Sequence, residues 1–231
     1  LGSVFIRDAL VTTLIPLIAL VVSYNAVVGE RESGSLKLLL ALPHSRGDVV
    51  FGKVVGRAGA IAVPVSVGFL LPGLVAAIGP LSLRPGTFIG YILLTLLLST
   101  VFVAIAVGFS SAVASNRLAI GGAVGLYFLF VPLWGAIQFP LRLYLGTGGP
   151  GWLPITGSEL LRLLRLINPT GSFKIVSGEF VNATLFAAGQ AGTEAAGQYA
   201  TQMEIAAFAM LGAWLLVPPL LGLWRFEGAD L

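Results

Sequence analysis

The chain has 231 residues, of which 57% are hydrophobic and only 10% are charged. A soluble domain carries about 25% charged residues, so this chain has too little polar surface to coat a water-soluble particle. Its net charge of +3 does not indicate a nucleic-acid-binding protein, because the basic residues flank apolar runs. The absence of cysteine excludes disulfides and thiolate metal sites. The composition therefore predicts an integral membrane protein.

Five apolar runs are long enough to cross the hydrocarbon layer as helices, which takes about 20 residues for each crossing. Strands are a poor alternative, because transmembrane barrels show alternating segments, and these runs are apolar on all sides. We therefore predict an all-α polytopic bundle that forms one transmembrane domain over residues 1–231. The predicted spans are residues 9–28, 58–79, 88–115, 118–137 and 205–224.

The basic residues of the short loops predict how the bundle is oriented. Residues 29–57 carry five of them, whereas the next loop carries only Arg84. The positive-inside rule then puts residues 29–57 in the cytoplasm, Leu1 outside and Leu231 inside. Residues 138–204 become an external segment. Because the first residue is not Met, we also expect a further part of the protein upstream.

Two helices are predicted in the cytoplasmic segment. Ser33 or Ser35 can cap the first, which runs to Leu42 and is stopped by the proline that follows. The second begins at Ser45, where Asp48 provides a short form of the capping box, and it leads directly into the second span. The first helix is too apolar for a free loop, so it either lies on the membrane or packs into another protein.

The external segment begins with a glycine-rich turn at residues 146–151 and continues with an amphipathic helix over residues 158–167. Ser158 is expected to cap this helix, and the pair Asn168–Pro169 to end it. Such a helix is expected to lie at the outer membrane interface. A weaker helix is predicted at residues 179–188.

Two possible chemical sites are rejected on the sequence. Residues 47–54 nearly match a phosphate-binding loop, but Val54 stands where the magnesium-binding Ser or Thr belongs, and no strand precedes the motif. The only histidine, His44, has no clustered ligands around it and predicts no metal site. We therefore expect no cofactor and no ATPase site in this chain.

The apolar runs also restrict the possible mechanisms. Gly52–Gly56 and Gly121–Gly125 have the small-xxx-small spacing that lets helices approach closely in membranes. The runs carry no Asp, Glu, Lys or Arg at mid-depth, where proton and sodium pathways usually need them. Uphill transport would therefore take its energy from another subunit, which can dock on the apolar cytoplasmic helix.

The cytoplasmic segment carries a family resemblance. Residues 29–43 read Gly-Glu-Arg-Glu-Ser-Gly-Ser-Leu-Lys-Leu-Leu-Leu-Ala-Leu-Pro and are followed by Ser45-Arg46 and Gly52-Lys53. This run resembles the first cytoplasmic loop of ABC transporter permeases of the type-2 exporter class, whose coupling helix docks on the ATPase subunit. That family has six spans, which implies that the five seen here are the last five. Residues 167–169 look like the subgroup associated with multicopper-enzyme maturation.

The resemblance implies a plasma-membrane permease subunit of an ATP-driven exporter. It also implies a second permease subunit, in a homodimer or heterodimer, and separate ABC ATPase subunits that bind the ATP. The acidic and basic residues would form charged contacts or hold the loop, and the leucines would supply the buried contact. On this basis, Leu39→Asp or Leu40→Asp is predicted to uncouple ATP hydrolysis from transport. The implied docking residues are Glu30, Arg31, Glu32, Ser33, Gly34, Leu36, Leu38, Leu39, Leu40, Leu42, Pro43 and Arg46.

Three other functions stay open on the sequence. An ion-coupled carrier or channel would transport without an ATPase partner. A membrane-embedded enzyme would need clustered His, Asp or Glu near one membrane face. A membrane scaffold would dock an ATPase while no substrate crosses.

Overall fold

The computed structural model describes residues 2–43, 45–78, 85–146, 156–185 and 194–228, and these residues are helical, without a strand. His44, Arg84 and residues 147–151 of the predicted turn lie outside the described residues. The helices are α1 (Gly2–Ser23), α2 (Val28–Glu32), α3 (Ser35–Leu40), α4 (Arg46–Ile78), α5 (Pro85–Ala112), α6 (Asn116–Phe128), a π-turn (Leu129–Leu133), α7 (Trp134–Gly146), α8 (Gly157–Ile167), α9 (Pro169–Leu185) and α10 (Glu194–Glu227).

The predicted five-span, all-α bundle is confirmed. Five helical stretches among the described residues are long and apolar enough to cross a membrane. They are Ala9–Glu32, Arg46–Val75, Phe88–Ala112, Asn116–Leu145 and Gln202–Glu227. The second stretch starts before its apolar run, because the helix that the Ser45–Asp48 box begins continues without a break, as expected.

Helix α5 lies at the centre of the bundle. It packs against α1, α4, α9 and α10, and Leu98, Phe102 and Val107 on it are fully enclosed. A helix that is apolar on all sides can be enclosed on all sides without burying unpaired charges, which is compatible with this central position. Helix α4 is the opposite case, since most of its apolar side chains, such as Val55 and Leu71, face away from the chain.

The closest helix crossing involves glycines that the spacing rule does not identify. A Cβ added to Gly108 of α5 would overlap the backbone of Pro218 in α10, and one added to Gly222 would overlap the carbonyl of Gly108. By contrast, a Cβ on any glycine of the two predicted pairs, Gly52–Gly56 and Gly121–Gly125, would meet no described atom within 4 Å. Those pairs therefore do not bring helices of the described chain together.

Two predictions for the segment after α7 were wrong. Helix α8 is capped by Thr156 rather than Ser158, because Glu159 stands three residues after Thr156 and completes a reciprocal capping box. Helix α9 begins at Pro169 and not near residue 179, since a proline suits the first position of a helix. The predicted end of α8 at Asn168 is confirmed.

Candidate functional site

Helices α2 and α3 form a sharp corner, which we call the α2–α3 corner (residues 28–42). Its bend lies at Gly34, whose φ of 76° is in the left-handed region that favours glycine. The predicted serine cap of α3 was wrong. Gly34 itself occupies the cap position, and the hydroxyls of Ser33 and Ser35 donate to the carbonyl of Glu30, at 3.2 and 3.4 Å.

The leucines of the corner do not share one environment. Leu36 is 1% exposed and belongs to the core of this chain, and Leu39 packs partly against that core. Leu38 is 75% exposed and Leu42 is 55% exposed. These two and Leu39 line a shallow groove of about 290 Å³ together with Glu30 and Ser35. Among the leucines of the corner whose side chains the structure describes, which leave out Leu40, one is buried in this chain and two are exposed.

Glu30 joins the corner to α4. Its carboxylate forms an ion pair with the ammonium group of Lys53. Four residues further along α4, Arg57 donates from Nη1 to the carbonyl of Val22 at the end of α1, at 2.7 Å. Both contacts hold the first turns of α4, which are predicted to lie at the cytoplasmic face, against the end of α1 and the start of the corner.

Arg31 joins the corner to the ends of α5 and α10. Its Nη1 donates to the carbonyl of Val113, just after α5, at 3.1 Å, and its guanidinium lies 5.3 Å from the ring centre of Phe226. Arg46 lies 5.0 Å from the same ring centre and donates to the carbonyls of Phe226 and Glu227. Positive charges at these carbonyls complement the C-terminal end of the α10 dipole.

Glu32 joins the corner to α6. Its Oε1 accepts a hydrogen bond of 2.7 Å from the backbone N–H of Asn116, the first residue of that helix. A carboxylate is stabilising at a helix N-terminus, where the N–H groups lack partners. The three consecutive charged residues thus each hold a different part of the bundle. This is the loop-holding role allowed for them on the sequence, whereas contacts with a partner stay a prediction.

The break between α1 and α2 is held by a residue that no sequence motif identifies. Ser110, fully buried on α5, accepts hydrogen bonds from the backbone N–H groups of Val27 and Val28, both at 3.2 Å. Buried N–H groups need partners, and a hydroxyl oxygen can accept two bonds. No pattern connects a serine in the third span to the end of the first.

Residues 47–54 lie inside α4, and a continuous helix does not have the backbone of a phosphate-binding loop. Among the described residues, no three His, Asp or Glu side chains lie close enough to hold a metal ion.

Two curated proteins and a family model are similar to this chain. A curated relative from Pseudomonas aeruginosa, named "Probable ABC transporter permease protein NosY", is 37% identical over 179 residues, which cover 73% of this chain and 60% of the relative. The relative of the same name from Stutzerimonas stutzeri is 36% identical over 173 residues, with 73% and 60% covered. This chain therefore spans less than two thirds of the relatives' length. Residues 6–231 match the family described as "ABC-2 family transporter protein", and this chain belongs to that family.

Proposed function

We propose that this chain is the membrane subunit of an ATP-driven ABC exporter, and that a separate ATPase subunit docks on α3. The observation that carries the proposal is the two-sided nature of the α2–α3 corner. One side exposes Leu38 and Leu42, and the other is held to α4, α6 and α10 by Glu30, Arg31 and Glu32. A partner that moves the exposed side would therefore move the spans.

The charge distribution supports placing this corner in the cytoplasm. The corner, the turn at residues 113–115 and the end of α10 contact one another, so they lie on the same side of the bundle. Basic residues concentrate there, and short cytoplasmic loops are enriched in Lys and Arg. The basic residues of this side are Arg31, Lys37, Arg46, Lys53, Arg57, Arg117 and Arg225.

The polar groups inside the spans favour an external energy source. Among the described residues of the first three spans, the buried Ser, Thr, Asn, Gln and charged side chains are serines and threonines, such as Thr95, Ser99 and Ser111, and the fourth span adds the neutral amide of Gln138. Neutral hydroxyls of this kind do not relay protons in the way that buried carboxylates and histidines do. ATP bound by the partner would then drive transport, and a second permease subunit would complete the pathway.

The exposed leucines provide the test. Leu38→Asp and Leu42→Asp are made in the full-length protein, and the ABC ATPase that co-purifies from the native host in mild detergent is measured by mass spectrometry. Burying a leucine contributes about 1.5–3 kcal/mol, so each variant is expected to lower recovery of the ATPase about tenfold or more.

The matched controls are Leu38→Met, which keeps an apolar side chain of similar volume, and Leu36→Ala. The methionine variant is expected to retain the ATPase. The alanine variant is expected to lower the thermal stability of the permease, because Leu36 is buried within this chain. Undiminished recovery of the ATPase by both aspartate variants would refute docking on α3.

A further inference from the structure

The fourth span contains a π-turn. Residues Leu129–Leu133 join α6 to α7 inside the stretch Asn116–Leu145, and they include Pro132, which has no backbone N–H to give to the helix. A π-turn holds one residue more than an α-turn. Conversion of this turn to α-helix would therefore rotate α7 relative to α6 by one residue, about 100°.

Two side chains at the junction of α8 and α9 lie against the carbonyl of Phe130 in this turn. Asn168 donates from Nδ2 to the carbonyl of Phe130 at 2.8 Å, and the hydroxyl of Thr170 lies 3.3 Å from the same oxygen. That hydroxyl has a single proton and lies closer, at 2.8 Å, to Oδ1 of Asn168. Asn168 is 1% exposed, so its amide is the main partner of the carbonyl and is shielded from water.

Two indoles hold α8 in the same place. Trp134, at the start of α7, donates to the carbonyl of Leu164 at 3.1 Å, and Trp214 of α10 donates to the carbonyl of Ile167 at 2.7 Å. The ring of Trp214 also packs edge-on against Phe130, with 5.2 Å between ring centres. The last carbonyls of a helix need such donors, so α8 is fixed to both flanking spans.

The amide nitrogen of Asn168 has no role in the local chain. As the residue that ends α8 and precedes Pro169, Asn168 needs only its extended backbone. As the cap of α9, it needs only Oδ1, which accepts from the N–H of Thr170 at 2.8 Å. A substitution can therefore remove the hydrogen bond from Nδ2 to Phe130 without removing the end of α8 or the cap of α9.

We propose that Asn168 is a positioning residue that keeps Leu129–Leu133 in the π form and so sets the rotation of α7 about its axis. When the bond is lost, the turn becomes α-helical. Each residue of α7 then moves by one position along the helix, so that residue 137 occupies the site that residue 138 occupies now. The α8–α9 junction thereby controls which face the outer half of this span presents. The proposal concerns this chain alone, so it can fail while docking on α3 holds, and the reverse.

The test uses the absence of cysteine in the chain. Single spin-labelled cysteines are placed at Ile137, Gln138 and Val124 of the full chain in lipid nanodiscs, and their accessibility to oxygen is measured. Ile137 is 54% exposed and Gln138 is 9% exposed. In the background Asn168→Ser, which keeps a capping oxygen but loses the amide, the label at 138 is expected to become accessible and the label at 137 protected.

Val124 on α6 is the internal reference and is expected to keep its accessibility, whereas an unfolded variant would change all three labels. Thr170→Ser keeps the hydroxyl and is the control that should leave the native pattern. If Asn168→Ser does not fold, Asn168→Asp at pH 8 replaces it, because it keeps the capping oxygen and the volume, and the same exchange is expected. The native pattern at 137 and 138 in a folded Asn168 variant would overturn the proposal.

Discussion

Gly34 has a conformation that other residues reach only with strain. A Cβ there would meet no described atom within 4 Å, so crowding is not the reason for the glycine. The reason is its φ of 76°, which costs a residue with a Cβ about 1–2 kcal/mol. The bend that separates Leu38 from the anchored side of the corner therefore depends on one backbone angle.

Gly34→Ala is expected to destabilise the protein by about 1 kcal/mol, and Gly34→Asn by less, because asparagine tolerates the left-handed region better. Thermal unfolding of the purified permease in detergent measures both. Equal melting temperatures for the alanine variant and the native protein would show that the corner can adopt another bend. Gly52→Ala, in an open position inside α4, is the control without a backbone constraint.

At the scale of elements, α5 and α10 depend on backbone contact. Gly108→Ala and Gly222→Ala each place a methyl group against the backbone of the other helix, which cannot move aside as a side chain can. We expect each variant to lower the free energy of unfolding by about 1–3 kcal/mol. Gly121→Ala and Gly125→Ala should be neutral within about 0.5 kcal/mol, and thermal unfolding compares the four. Equal losses at all four positions would contradict the crossing described here.

Helix α8 depends on a carboxylate at its start. Hydrogen bonds from the backbone and the hydroxyl of Thr156 hold the pKa of Glu159 below its ordinary value. Folding therefore favours the ionised form. The contribution of this cap to α8 is fully present above the unfolded pKa, about 4.3, and is lost as the pH falls through the lower folded pKa.

Hydrogen exchange of the Leu160 amide, corrected for the intrinsic pH dependence, is expected to accelerate below about pH 4 as the cap is protonated. The matched control is Glu159→Gln, which can still reach back to Thr156 but does not titrate. If the corrected exchange rate of the native protein depends on pH no more than that of the glutamine variant, the carboxylate of Glu159 does not stabilise α8.

At the scale of the molecule, the α2–α3 corner is the place where all five spans meet. The first span enters it directly, Glu30 contacts α4, Arg31 contacts the end of α5 and Phe226 of α10, and Glu32 contacts α6. The fourth span, whose first backbone N–H donates to Glu32, also contains the π-turn, where the carbonyl of Phe130 accepts from Asn168. The fourth span is therefore held at its start and again near its middle by residues of other elements.

The sequence predicts the bundle well because apolar runs, capping residues and prolines act locally. The spans and the Ser45 cap were predicted from neighbouring residues only. The long-range contacts of Ser110, Phe226 and Asn168 could not be predicted, because their partners lie far away in the chain and no local pattern identifies them. Leu36 and Leu38 show the same limit, since a leucine-rich helix of one turn and a half does not reveal which side is already occupied.

The contact between α5 and α10 has a consequence for how the protein is made. Helix α10 leaves the ribosome well after α5, yet it covers Gly108 and Ser111 on the central helix. Until it arrives, α5 exposes small residues and a hydroxyl to lipid or to the insertion machinery. Domains made from the N-terminus onward normally fold as they emerge, whereas the centre of this bundle closes only when a helix made after the other described spans has arrived. A stop codon or frameshift before Gly222 would therefore leave every earlier span inserted around an incomplete centre, a product suited to recognition by membrane proteases.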